Sequence, residues 1–468
     1  MMETHPEETD TARMEPAGIK GRRVTIVGAA RSGIGAARLL NASGASVFVT
    51  DLSPAGKLTG NLMELKKNGI PFEAGGHTER AYDADLMVIS PGVPSDSEII
   101  REAALKGIRV VSEIEMASWF CAATIAAVTG TNGKTTTATL LGQLLEGARV
   151  PVTVAGNIGT AFSGVAAGAP RGSVVVLEVS SFQLDHIESF RPAVSVILNI
   201  TPDHLNRYGG SFERYARSKC RVFENQRIGD TLIYNADDPE TKSRVVRLAP
   251  PGARLLPFGL GEPSGDGAFR RDGAMVVRIG GREEEVIDAG ALGIPGLHNL
   301  YNAMAATLAA FALGVKAAAA SATLAEFKGV EHRLEFVREL RGVRYVNDSK
   351  ATNVESVWYA LQAYRSPVVL ILGGRDKGND YSKIAPLVSS SVKSIVAVGE
   401  SADKVVKFFG GTVSVVKAES MQDAVARSTA AAAEGDVVLL SPACASFDWF
   451  DNYEHRGRVF KEAVWALQ

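Results

Sequence analysis

Only three cysteines, Cys121, Cys220 and Cys444, occur in 468 residues. They are widely spaced and odd in number, which argues against a disulfide framework or a cysteine metal cluster and fits a reducing cytoplasm. No apolar run reaches bilayer-spanning length, so no membrane insertion is expected. The acidic first twenty residues lack an apolar core segment and read as a disordered leader, neither signal peptide nor anchor. A formal net charge of −2 supplies no basic field of the kind nucleic-acid binders use, so nucleic acid is not an expected partner. Repeats, heptads and low-complexity tracts are also missing.

What is present is an ordinary globular composition, 46% hydrophobic and 22% charged, in a chain too long for one core. Short β-branched runs alternate with Ala/Leu-rich stretches, as in Val24–Val27, Val47–Thr50, Leu86–Ile89 and Arg109–Ser112, a rhythm that predicts a parallel sheet with crossover helices. A second series runs through Thr124–Val128, Val174–Val179, Val194–Ile200 and Thr231–Tyr234. Residues 250–296 break the rhythm and read as a small antiparallel excursion, closed by an alanine-rich helix over roughly Asn299–Leu313. A third α/β series follows Glu331. The expected fold is therefore α/β in three domains, with a leader over 1–20 and domains over 21–114, 115–329 and 330–468.

The strongest local signal is Thr129-Gly130-Thr131-Asn132-Gly133-Lys134-Thr135-Thr136, which follows an apolar run and opens a helical one. Strand, glycine loop and helix are the context of a phosphate cradle, in which backbone N–H groups would turn around phosphate oxygens, Lys134 would reach the β/γ-phosphates and the Thr135 hydroxyl can ligate Mg²⁺. Val128 stands where G-x-x-x-x-G-K-S/T has its first glycine. Downstream, Leu177-Glu178-Val179-Ser180-Ser181-Phe182-Gln183-Leu184 puts a carboxylate at the ligand-facing end of a buried strand. Near the start, Gly28-Ala29-Ala30-Arg31-Ser32-Gly33 is a damaged dinucleotide fingerprint, because Ala30 replaces the glycine that lets a pyrophosphate approach, and Asp51 closes the next strand.

The loop T-G-T-N-G-K-T-T resembles the variant P-loop of the Mur ligases and folylpolyglutamate synthetases. L-E-x-S-S-F-Q-L, Asn347-Asp348-Ser349-Lys350-Ala351-Thr352-Asn353 and Ser441-Pro442-Ala443-Cys444-Ala445-Ser446 are similar to the MurD branch in particular. The resemblance covers about residues 22–465 and implies a UDP-binding first domain, a central ATPase domain and a C-terminal Rossmann-like domain. It implies an ATP-dependent amide ligase that joins D-glutamate to UDP-N-acetylmuramoyl-L-alanine through an acyl phosphate and a tetrahedral intermediate. Its partners would be small molecules, and a monomer is expected.

The resemblance also assigns residues. Gly130, Thr131, Asn132, Gly133, Lys134, Thr135 and Thr136 would cradle ATP, the amides of Asn299 and Asn302 would face adenine, and Arg333 and Asp348 would approach the nucleotide, coupling closure to binding. Two Mg²⁺ sites are implied, with Thr135, Glu178, His204 and Lys219 as ligands and Lys219 carbamylated by CO₂. Lys350 would contact the reacting oxygens. Ser32, Asp51, Gly92 and Asn157 would hold the UDP-substrate, and Thr352, Lys377, Ser446 and Tyr453 the glutamate. Two departures stand out: Asn206 replaces an aspartate after the Asp203-His204 pair, and Tyr453 falls where phenylalanine is usual. Cys444 reads as a small buried residue and not as a nucleophile. A competing reading from another class is a nicotinamide oxidoreductase built on the first domain, for which the damaged fingerprint predicts no hydride transfer.

Overall fold

Three sheets organise the chain in a computed structural model, which describes residues 16–376 and 378–468. The first holds β1 Arg23–Val27, β2 Ser46–Asp51, β3 Phe72–Ala74, β4 Leu86–Ile89 and β5 Arg109–Ser112. All are parallel, in the order β3-β2-β1-β4-β5. Successive side chains on a strand point to opposite faces, and both faces are filled here. Val24, Ile26, Val47 and Val49 pack into one layer, and Val27, Phe48, Met87 and Ile89 into the other. Helices cover both sides, as an all-parallel sheet requires.

The second sheet has nine strands: β6 Thr124–Thr129, β7 Val152–Gly156, β8 Val174–Glu178, β9 Val194–Ile197, β10 Thr231–Asn235, β11 Arg254–Phe258, β12 Gly267–Arg271, β13 Ala274–Ile279 and β14 Arg282–Asp288. Their order is β14-β13-β12-β11-β10-β9-β6-β8-β7. The antiparallel pieces expected between 250 and 296 are present and extend this same sheet, β12-β13 and β13-β14 pairing antiparallel. The third sheet contains β15 Glu335–Leu340, β16 Val343–Asn347, β17 Val368–Gly373, β18 Val392–Val398, β19 Ser414–Lys417 and β20 Val437–Leu440. It runs β15-β16-β20-β17-β18-β19, with only the edge strand β15 antiparallel.

By compactness the chain forms two units, one up to Ala289 plus Tyr301–Leu324 and the other Gly290–Leu300 plus Ala325–Gln468. The first contains the first two sheets, the second the third sheet. The expectation of a disordered leader over 1–20 needs correction at its end. Pro16–Ile19 form a 3₁₀ turn, and Ile19 is fully buried in the core of the first sheet, because an isoleucine gains more from that apolar layer than from water. Residues 1–15 lie outside the described residues. Among the described residues, no helix is long and apolar enough to cross a membrane.

Two crevices follow from strand order. In the first sheet β1 lies between β2 and β4, so the loops after β1 and β4 part at their carboxyl ends. In the second, β6 lies between β8 and β9, and the loops leaving all three open at one edge. Such switch points are where open α/β sheets bind ligands.

Candidate functional site

The loop after β6 is shaped by two glycines. Gly130 has φ +150° and its absent Cβ would lie 2.9 Å from Leu198; Gly133 has φ +87°, and a Cβ there would collide with the Asn302 amide. Neither position accepts another residue without movement. Gly133 then caps the helix Lys134–Gly147, which begins with loop N–H groups and a favourable dipole end. The loop is pinned from the β9 side: Asn132 N–H donates to Asn199 Oδ1 (2.8 Å), Asn199 Nδ2 returns a bond to Asn132 O (3.1 Å), and the Thr131 hydroxyl meets Thr201 O (3.0 Å) and Tyr215 OH (2.9 Å). Thr131 and Asn132, expected at the nucleotide, thus direct these groups to holding the loop in shape. Among the described residues the buried Thr136 hydroxyl has no hydrogen-bond partner.

Two of the basic residues assigned to catalysis, Lys134 and Lys219, meet at one carbonyl. Lys134 Nζ folds back onto Gly130 O (2.9 Å) and Thr131 O (2.8 Å), and Lys219 Nζ donates to the same Gly130 O (2.7 Å). Lys219 is only 2% exposed and lies over the Tyr215 ring. Burial, reinforced by the charge of Lys134, pushes its ammonium well below the usual lysine range. It is not a surface lysine.

Across the loop, Glu178 ends β8 and accepts from Thr135 Oγ1 (2.6 Å) and Asn157 Nδ2 (3.1 Å). A buried threonine hydroxyl beside a buried carboxylate is an oxygen-only donor set of the kind a hard divalent cation prefers. The group fits Mg²⁺. His204 follows β9 with φ +50°, is about 40% exposed at its side chain, and stacks edge-on against Phe182 with ring centroids 5.8 Å apart. Asn302 points its amide at Gly133 and accepts from Thr137 Oγ1 (3.3 Å), which supports the loop.

The first crevice is a cleft of about 590 Å³ in the same unit, and Ser32, Asp51, Gly92 and Asn157 all line it. Asp51 accepts from Ala29 N (2.6 Å) and Ser53 N (2.7 Å), tying the β1 and β2 loops together at the rim. Asn157 belongs to both places: it lines this cleft and bonds Glu178 through its side chain, while its backbone N–H donates to Glu178 O (2.8 Å). Sequence reasoning missed His77, which bonds Thr50 Oγ1 (2.7 Å) and lines the cleft, and left Arg207 unassigned. Arg207 holds the Pro91 and Val93 carbonyls (3.2 and 2.7 Å) and stacks on Phe182, so it braces the 91–93 loop.

In the second unit, Asp348 is buried and accepts from Ser441 Oγ (2.8 Å) and Leu334 N (3.2 Å). Burial pushes its carboxyl up to about 6, although the Arg333 guanidinium and the Ser441 hydroxyl oppose that. Lys350 lies over the Tyr453 ring (5.3 Å), and Tyr453 also meets His332 edge-on, so Tyr453 belongs to the same cluster as Lys350. Ser446 is buried, Thr352 half-buried, and Asn299 donates to Pro295 O (2.8 Å). Lys377 lies outside the described residues. Arg456, which the sequence did not single out, is 2% exposed and binds Ser349 through Nε (2.9 Å) and Cys444 O through Nη1 (3.0 Å), clamping the 349 and 444 loops. Cys444 is fully buried, accepts from Asn379 Nδ2 (3.2 Å), and has its thiol pushed up by burial, which suits packing and not nucleophilic attack.

The chain matches three family models: the MurD N-terminal domain over residues 23–99, the Mur ligase middle domain over 128–310 and the Mur ligase, glutamate ligase domain over 332–444. It is 47% identical to a UDP-N-acetylmuramoylalanine–D-glutamate ligase from Salinibacter ruber, over 97% of this chain and all of that one. A second such ligase, from Chloroherpeton thalassium, is 45% identical over 96% of this chain and 99% of its own length. Among solved structures, a UDP-N-acetylmuramate-alanine ligase from Thermotoga maritima shares the fold at 21% identity, with a TM-score of 0.59 over 95% of this chain and 99% of that one.

Proposed function

The chain belongs to the Mur ligase family, and from that premise we propose how its own residues divide the work of an ATP-dependent ligase adding D-glutamate to UDP-N-acetylmuramoyl-L-alanine in peptidoglycan synthesis. A carboxylate oxygen of the UDP-substrate attacks the γ-phosphorus of ATP and the bond to ADP breaks, leaving an acyl phosphate. The glutamate amine then attacks the acyl carbon and loses a proton, and phosphate leaves from the tetrahedral intermediate.

The observation that carries the reading is the meeting of Lys134, Lys219, Thr135 and Glu178 around one glycine loop, with Asn157 linking it to the long cleft. The UDP-substrate lies along that cleft, held by Ser32, Asp51 and Gly92, and its acyl end reaches Asn157. Lys134 leaves the carbonyls of its own loop for the phosphate oxygens, a stronger charge-assisted partner. Thr135 and Glu178 would hold one Mg²⁺, with His204 and Lys219 serving a second site, and the metal would supply charge neutralisation for the phosphates. In the second unit Thr352, Ser446 and Tyr453, with Lys377, receive glutamate, while Lys350 and Asp348 serve the phosphate chemistry.

Lys219 is carbamylated in this reading. Its buried amine favours the neutral form that adds to CO₂, giving a carbamate and a proton, and the carbamate converts a disfavoured buried cation into an anionic oxygen donor. The test is phosphate release and product mass with a panel of D- and L-amino acids. Release that requires both the UDP-substrate and D-glutamate supports the assignment. Release with neither would leave a nucleotide switch or simple ATPase instead, and hydride transfer would be needed for the oxidoreductase alternative.

A further inference from the structure

The helix Phe212–Cys220 has two differently employed faces. Tyr215 and Lys219 turn inward to the glycine loop. Arg214 and Arg217, followed by Arg221, line a second cleft of about 590 Å³ whose other walls include Ser95, Asp185 and Tyr208. Cations three and four residues apart on a helix repel one another; Arg214 and Arg217 are three apart on this helix, and Arg221 follows four residues later at its C-cap.

Not all of that charge is used. Arg221 donates to the Asp185 and Ile187 carbonyls and pairs with Glu224, and Arg207, at the cleft's edge, is spent on the Pro91 and Val93 carbonyls. The Asp185 carboxylate is taken by Ser95 Oγ and Tyr208 OH, both at 3.2 Å. Among the described residues the Arg214 and Arg217 guanidinium groups have neither an ion pair nor a hydrogen bond, and both side chains are exposed. The cleft as a whole holds four arginines against the carboxylates of Asp96, Asp185 and Glu224.

We propose that this cleft binds the diphosphate group of a small soluble anion, at a site separate from both the glycine loop and the first cleft. Two unpaired guanidinium groups three residues apart stand about 4.5 Å apart along the helix axis, a spacing that lets each fork address one of two adjoining phosphoryl groups. The cleft is roomier than a diphosphate alone, so the organic part of the ligand also lies within it. Occupancy removes the repulsion along the helix.

The test is calorimetric titration of inorganic pyrophosphate into the full-length protein with ADP and UDP saturating and metal chelated, compared with Arg214→Ala/Arg217→Ala. The expected result is one equivalent bound by the wild type and affinity at least tenfold weaker in the double variant, with Arg101→Ala, an exposed arginine elsewhere, unchanged. Circular dichroism verifies the fold of each variant. Orthophosphate should bind at least tenfold more weakly than pyrophosphate. Absence of the extra equivalent, a loss under threefold in the double variant, or equal binding of orthophosphate overturns the proposal.

Discussion

Two glycine loops in this protein share a topology and differ in almost everything placed around them. Each follows a central parallel strand, β1 or β6, at a switch point, and each opens a helix. Behind the first, Asp51 consumes the Ala29 and Ser53 N–H groups, and the cleft wall beyond includes Leu52, Pro91 and Val93. Behind the second, two lysines converge on Gly130 O and a carboxylate waits on Thr135. Loop shape alone therefore does not choose the ligand. The carboxylate at the first loop disfavours a closely seated phosphate and suits hydroxyl or amide donors, whereas the lysines at the second favour the phosphates of ATP.

The largest effect should come from breaking the second loop. Lys134→Ala should lower acyl phosphate formation by about a thousandfold, the scale of losing a charge-stabilising group, while affinity for the UDP-substrate stays within twofold. Quench-flow for the first and calorimetry for the second separate the two loops; equal losses would mean that they are not independent sites.

Lys219 gives the next effect, and its sign is informative. Lys219→Ala should be nearly inactive and regain measurable turnover with acetate, whose carboxylate can stand in for a carbamate. Lys219→Met should be equally inactive yet more stable than wild type at neutral pH, by roughly 1–3 kcal/mol. A lysine whose folded value is depressed binds fewer protons in the native than in the unfolded state, so wild-type stability rises with pH between the lowered folded value and the ordinary lysine value. The advantage of Lys219→Met should shrink across that window. Urea melts at several pH values check this, and a constant difference would mean that burial is not the cause. Carbamylation of the wild type would shrink the advantage further in the presence of CO₂.

These contrasts were unequally legible in the sequence. The central strands were readable because strands buried on both faces become continuous runs such as Val-Val-Val-Leu in β8 and Val-Val-Leu-Ile in β17. β3 is three residues long, β14 begins Arg-Glu-Glu-Glu, and β15 is a charged edge strand. Edge strands are kept short or charged to resist pairing with other chains, which erases the apolar signal. At the site, motif residues were legible because each motif is contiguous. The bonds that set their orientation were not: Thr131 meets Tyr215 across 84 residues and Asn132 meets Asn199 across 67. The pairing of Tyr215 with Lys219 was within reach, since residues four apart share a helix face.

A smaller effect should come from the first loop. Asp51→Ala should weaken UDP-substrate binding about tenfold, the scale of a hydrogen bond to a charged group, and leave ATP affinity unchanged. Some stability should go as well, because the Ala29 and Ser53 N–H groups lose their acceptor. Asp51→Asn keeps an acceptor and should recover stability more fully than affinity. If both variants bind the UDP-substrate as wild type does, Asp51 is a loop clamp only, and the contrast with the lysine-lined loop rests on the cleft walls.

The smallest effect concerns the acid buried near the first loop, the counterpart of Lys219 near the second. Glu113 is 2% exposed, and its carboxylate accepts from Ser163 N (2.7 Å) through one oxygen while the other is buried with no partner among the described residues. Its neighbour Glu115 is also buried but receives Trp119 Nε1, the N–H groups of Glu188, Ser189 and Phe190, and the Ser189 hydroxyl. Burial outweighs the Ser163 bond and the charge of Arg31, raising the Glu113 carboxyl above its ordinary value. A raised carboxylate binds more protons in the native state than in the unfolded one, so its contribution is full below the unfolded value and is lost as pH rises through the folded value. Glu113→Gln keeps an acceptor for Ser163 N and cannot ionise. It should therefore match wild type in acid and exceed it by about 1 kcal/mol at neutral pH, the low end of what an under-satisfied buried group costs. Lys219→Met should lose its advantage as pH rises while Glu113→Gln gains one, so stability curves of the two variants against pH should diverge from wild type in opposite senses. Parallel curves would mean that the two burials do not act through ionisation.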